Sequence, residues 1–182
     1  MSPTLLQDPG LYPMLIAIDE ELAAATRAQG CSHCGAKLHD GGFPRKPRGC
    51  PARYRTAFSW RTSLDCSRCR QRTMPASVRF LGRRIYLAAV FVLVSPRETS
   101  SASWLTKHLG VPARTVDRWR EWWRRDFRST PFWQLKRAHF VEICEQQLPE
   151  SILDRFQADS QLQRLLLFLR FLLPLNGRVL KP

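Results

Sequence analysis

A chain of 182 residues with a formal charge of +14 has room for one substantial core or two to three small modules, and it calls for a polyanionic partner. A membrane span is excluded: the best apolar run, Leu165 to Leu175, is broken by Arg170 and Pro174. No secretory opening is expected, because Met1-Ser-Pro-Thr4 lacks a basic segment and the acidic Asp19, Glu20 and Glu21 soon follow; a soluble, cytoplasmic protein is expected.

The charge is unevenly placed. Residues 1–44 hold 2 basic and 5 acidic side chains, residues 45–128 hold 20 and 5, and residues 129–182 hold 7 and 5. The middle segment, at net +15, therefore exceeds the whole surplus and would face phosphates. Arginine predominates there, and its planar fork suits phosphate oxygens and guanine edges.

In chain order, residues 11–29 predict a helix. Leu15, Ile16, Ile18, Leu22 and Ala25 form its apolar side, Glu20, Glu21 and Arg27 its polar side, and Gly30 its stop. From Gly41 to Pro51 the chain is punctuated by Gly and Pro and predicts no regular structure. Tyr54 to Leu64 suits a short strand, and Arg72 to Phe80 another. Residues 81–95 predict a buried helix ended by Pro96. Helices are expected at about 101–109 and 112–128, and a further one from Thr130 (N-cap) and Pro131 to about Gln147. Pro149 restarts a short helix, and Asp159-Ser160 caps a last one to about Leu173.

Two paired-cysteine knuckles, Cys31-Ser-His-Cys34 and Cys66-Ser-Arg-Cys69, have the ligand spacing of a zinc ribbon with a 31-residue insertion between them. A tight CxxC turn lets two thiolates converge, and two such turns complete a tetrahedron around Zn²⁺. The expected ligands are Cys31, Cys34, Cys66 and Cys69, with Cys50 or His39 as conceivable replacements for one of them. A closed four-ligand site is structural, so the zinc would hold the fold and not activate water. Cys144 is expected as a small core residue on the helix after Pro131.

Thr106, Gly110 and Val116 match the small, turn and apolar positions of a helix-turn-helix, with Leu105, Leu109, Val111 and Trp119 on the buried side and Pro112 at the first position of the second helix. On that helix Val116, Trp119, Trp123 and Phe127 form one stripe, and Arg114, Arg118 and Arg125 lie opposite. Ala113, Arg114, Asp117 and Arg118 are the expected base-edge readers, while Lys107, Arg120 and Arg124 suit the phosphate backbone.

The order of these parts resembles the DNA-binding region of insertion-sequence transposases of the zinc-ribbon class. The counterparts are Cys66-Ser-Arg-Cys-Arg-Gln-Arg-Thr73, Ser77-Val-Arg-Phe80, Ile85-Tyr-Leu-Ala-Ala-Val-Phe-Val-Leu93 and Trp104-Leu-Thr-Lys-His-Leu-Gly-Val111. The likeness is of architecture and covers roughly residues 31–125. It implies a protein of a bacterial mobile element that recognises DNA without the catalytic domain, as a transposition accessory factor or regulator. A separately encoded transposase would be its partner.

The expected fold is mainly α with a small β zinc ribbon: an N-terminal helix over 1–30, the ribbon over 31–80, the helix-turn-helix over 81–128 and a C-terminal helical packing or dimerisation segment over 129–182. The leucines at 162, 165, 166, 169, 172 and 173 need cover, either within the chain or across a homodimer interface. No nucleophile–base set or phosphate-cradling loop is visible, so no enzymatic role is expected. Binding of structured RNA through the ribbon and the Arg-rich 45–55 loop, or a non-catalytic adaptor role on a partner enzyme, are the alternatives to duplex DNA.

Overall fold

A computed structural model describes residues 3–81, 86–95, 109–140 and 142–176. It is a mixed helical structure carrying one small antiparallel sheet. Helix α1 (Leu11–Gln29) ends at Gly30, whose φ of 75° permits the turn into the first knuckle. Three strands follow in the order β1 (Leu38–Pro44), β2 (Trp60–Cys66) and β3 (Arg72–Thr73). The remaining helices are α2 (Ala88–Val94), α3 (Ala113–Glu121, extended as a π-helix over Trp122–Phe127), α4 (Pro131–Lys136), α5 (Glu150–Leu153) and α6 (Gln161–Phe171). No described helix is long and apolar enough to cross a membrane.

The sheet corrects the reading of the Gly- and Pro-rich stretch. Gly41 to Pro44 are strand, paired with Ser63 to Trp60. A Cβ at Gly41 would meet the Asp65 carboxylate at 2.5 Å, and one at Gly42 the Trp60 indole at 2.2 Å. The glycines thus make room for cross-strand side chains, and Pro44 is tolerated because β1 is an edge strand. The strand expected over Tyr54 to Leu64 begins only at Trp60. Tyr54 lies in a 3₁₀ turn, stacks on Tyr12 at 4.6 Å and donates to the Pro9 carbonyl, so these aromatic residues anchor the loop on α1. Beyond Thr73 the expected third strand does not continue, because Ser77 and Val78 turn toward α1.

One core unites α1 with α2, α3 and α6; the cysteine knuckles form a second, separate cluster with Leu38 and Leu64. All seven residues of α2 are buried. Around it runs a chain of aromatic contacts: Tyr86 on Trp119 (5.0 Å), Phe91 stacked on Trp123 (5.1 Å), Trp123 on Phe127 and Phe127 on Trp133. Such pairs contribute about 0.5–1.5 kcal/mol each beyond their burial. Leu165, Leu166, Phe168, Leu169 and Leu172 are buried on this core, so most of the leucine face is covered within the chain.

Other expectations fail locally. Ala25 is exposed on α1. Pro112, expected at the first position of α3, is its N-cap, and the helix starts one residue later at Ala113. The helix begun by Thr130, whose hydroxyl accepts from the Trp133 N–H, stops at Lys136 instead of Gln147. A 3₁₀ turn over Arg137–His139 leads to an extended Phe140, which sets its ring against Trp133, Phe156 and Phe171. Cys144 then falls on an exposed extended residue and not in the core. The expected helix at 101–109, with Thr106 and Lys107, lies outside the described residues apart from Leu109. The helix expected over 81–95 begins only at Ala88, because Tyr86 bridges to Arg48 and Leu87 is an extended N-cap; residues 82–85 lie outside the described residues.

Asp19, on the inner side of α1, is only 5% exposed. Its Oδ2 accepts from Ser77 Oγ (2.5 Å) and Arg79 Nε (2.7 Å), its Oδ1 from the Val78 N–H (2.7 Å), and Arg61 Nη1 lies 4.0 Å away. Both arginines are themselves buried. Removing one member of such a group strands the others without water. Asp19→Asn should therefore cost about 3–5 kcal/mol in denaturant unfolding of the metal-loaded protein; a loss under about 1 kcal/mol would show that the network is dispensable.

Candidate metal centre and basic face

The two knuckles are built alike. In the first, the Gly35 N–H donates to the Cys31 carbonyl (2.8 Å); in the second, the Arg70 N–H donates to the Cys66 carbonyl (3.2 Å). Each turn closes on a left-handed residue, Gly35 at φ 71° and Arg70 at φ 57°. Glycine adopts that conformation without cost, whereas arginine is held in it by the turn. Strand pairing does the rest: Leu38 opposite Cys66 and Leu64 opposite Thr73 bring the second knuckle under the first.

The four sulfurs all lie within 4.8 Å of one another. Cys31 Sγ is 3.6 Å from Cys69 Sγ, and Cys34 Sγ is 3.4 Å from Cys66 Sγ. Tetrahedral metal–thiolate bonds of about 2.3 Å would set sulfurs about 3.8 Å apart. These separations are far too long for a disulfide, and the thiols are free. The arrangement can hold a metal ion. The backbone N–H of Cys69 and then that of Arg68 point at Cys66 Sγ (3.4 Å each) and, with the facing thiols, lower the Cys66 thiol despite its burial. Burial and the neighbouring thiols push Cys69 up, so the four sulfurs share one titration.

Neither alternative ligand belongs to this group. His39 is exposed on β1 opposite Asp65. Cys50 is buried in the main core, where loss of water pushes its thiol up to about 11 even though Arg55 acts in the opposite sense.

Helix α3 divides as its spacing predicts. Val116, Trp119, Trp123 and Phe127 are buried, and Trp122 and Thr115 join them. Ala113, Arg114, Asp117, Arg118, Arg124 and Arg125 are exposed. Positions 114, 118 and 125 share one face. Arg120 differs from its neighbours: it is half-buried and donates to the Ser95 carbonyl and to Asp117 (3.1 Å each). Arg125 pairs with Glu121 at 3.2 Å. Exposed pairs of this kind contribute about 0.3–0.5 kcal/mol, so a stronger anion can displace them. Gly110, the expected turn residue, has φ 62°. Sequence reasoning missed the buried Asp19 network, although a wheel of α1 sets Asp19 on the stripe of Tyr12, Leu15 and Ala23.

One divalent metal per chain should survive gel filtration and be lost in Cys31→Ser and Cys69→Ser but retained in Cys50→Ser, as read by elemental analysis. Complete folding of the stripped protein would contradict the site. In the native protein at pH 8, alkylation followed by mass spectrometry should reach Cys144 at once. Cys50 should react only on unfolding, since its buried thiol stays protonated there. No family model, no curated protein and no solved structure matches this chain.

Proposed function

We propose that the chain is a zinc-stabilised, double-stranded-DNA-binding protein, with a zinc ribbon as scaffold and α3 as the recognition helix of a helix-turn-helix. The observation that carries this reading is the partition of α3, a buried aromatic stripe backed by an exposed row of Arg114, Arg118 and Arg125. A helix anchored on one side and guanidinium-bearing on the other fits the major groove. Four clustered thiols favour zinc over harder cations such as Mg²⁺ or Ca²⁺, which prefer oxygen.

The ribbon would position α3 without reading bases. In this division of labour Arg114 and Arg118, with Ala113 and Asp117, meet base edges, while Arg124 and Lys107 meet phosphates. Arg120 is held by Ser95 and Asp117 and would act by orienting the helix. The role within a bacterial mobile element, as transposition accessory factor or regulator beside a separate transposase, follows from the resemblance in the order of motifs. A homodimer reading two half-sites suits that role.

Duplex affinity should fall steeply with salt between about 50 and 200 mM, because neutralised phosphates release counterions. A flat response would sink the proposal. Once a preferred site has been selected from a random duplex library, Arg114→Ala or Arg118→Ala should cost about 1–3 kcal/mol there and relax the preference at one position. Equal losses on every sequence would reassign the residue to the backbone.

A further inference from the structure

An open cleft of about 580 Å³ lies between the loop that follows β1 and the chain leading into α3. Arg45, Lys46, Arg48 and Arg55 line it together with Leu109 and Gly110; no carboxylate is among its described lining residues. Elsewhere acids neutralise arginines, as Asp65 does Arg72 and Asp154 does Arg164. Among the described residues no ion pair ties Lys46, Arg48 or Arg55 to a carboxylate. Like charges gathered in one concavity repel one another and concentrate an anion.

The wall of this cleft is a built feature. Gly49 has φ 76°, and a Cβ there would come within 2.8 Å of Val90 Cγ2, so the loop lies directly on α2. The Leu87 N–H donates to the Arg48 carbonyl (3.2 Å), and Arg48 bridges to Tyr86. The Arg48 guanidinium sits over the Tyr86 ring, which meets Trp119 of α3 edge-on at 5.0 Å. The cleft is thereby held in fixed relation to α3. Gly110 precedes Ala113 by three residues, so the cleft reaches to within about 10 Å of the start of that helix.

We propose that the cleft holds the phosphodiester backbone of the duplex whose groove α3 enters, as an anchor indifferent to sequence. This rests on the DNA-binding reading above. A backbone is favoured over a free phosphate because the cleft is open, holds about 580 Å³ and is lined by four cations, more room and charge than a single phosphate held by donors converging on one point would use. Duplex DNA is favoured over folded RNA because the lining includes Gly110, three residues before α3, and the exposed arginine row of that helix needs a wide major groove.

The test uses the full zinc-loaded chain, a mixed-sequence duplex, and fluorescence anisotropy across a salt series. Lys46→Ala and Arg55→Ala suit it, since both side chains are exposed. Each should weaken binding several-fold on every sequence and lower the log–log salt slope by about 1, with zinc content and unfolding midpoint unchanged. Arg170→Ala, which removes an equal charge from α6, should leave both quantities as they were. If the wild type binds duplex and both cleft variants match it in affinity and slope, the anchor is wrong while the recognition helix stands. If the wild type binds no duplex, both readings fall. Inorganic phosphate competing far better than chloride at equal ionic strength would make the cleft a small-anion site and overturn the assignment. Tighter binding of structured RNA through the same two residues would overturn it as well.

Discussion

A carboxylate that has lost its water persists only where donors and cations replace it, and Asp19 has recruited four such groups, one from β2 and three from the segment after β3. Ser77 and Val78 bind both of its oxygens, and the Ser77 hydroxyl in turn accepts the N–H groups of Arg79 and Phe80. This turns the chain after β3 inward and ends the sheet at two residues of β3. It also sets Phe80 in the core that α2 completes, and the Arg79 guanidinium over the Phe58 and Phe80 rings. The cysteine module has only a small core of its own, so this contact is a main part of its seat on the helical body, beside the Tyr54 and Gly49 contacts to α1 and α2. A buried ion group is weak as a source of net stability, but it is demanding in geometry, which is what a fixed seat requires.

The parts legible in the sequence are those fixed by short-range spacing. The cysteine pairs, the α3 stripe, the Thr130-Pro131 start, the Ser160 cap and the Gly30 stop each need only residues a few places apart, and each is found. What could not be read depends on partners distant in the chain. Gly41 and Gly42 looked like loop residues until the Trp60 and Asp65 side chains that need their space were placed across the strand. Tyr54 looked like strand because its partner, Tyr12, lies 42 residues earlier. The helix after Pro131 reads as continuous from propensity alone, yet Phe140 leaves it to fill the gap between Trp133, Phe156 and Phe171. Tertiary packing overrides propensity in that case, and Cys144 is carried to the surface as a consequence.

The distribution of acids gives the surplus of arginine its meaning. Glu21 pairs with Arg170, Asp40 with Arg27, Asp65 with Arg72 and Glu145 with Arg128, so much of the chain's acidity is spent on joining elements to one another. On α3 the acids sit beside the arginines and lend them a loose hold, as Glu121 does for Arg125. Such a pair keeps a guanidinium extended along the helix face at a cost of only tenths of a kcal/mol when it is exchanged for phosphate. The cleft cations Lys46, Arg48 and Arg55 have no acid even of this kind among the described residues. Two basic surfaces of different character therefore adjoin at Gly110. One is a tunable row on a helix whose side chains can change partner, which suits reading. The other is a concavity whose Lys46, Arg48 and Arg55 pair with no described carboxylate, on a loop that Gly49 and Arg48 hold against α2, which suits gripping. A protein that must find one sequence among many needs both, because the grip supplies the affinity that non-specific contacts provide and the row supplies the difference between sequences.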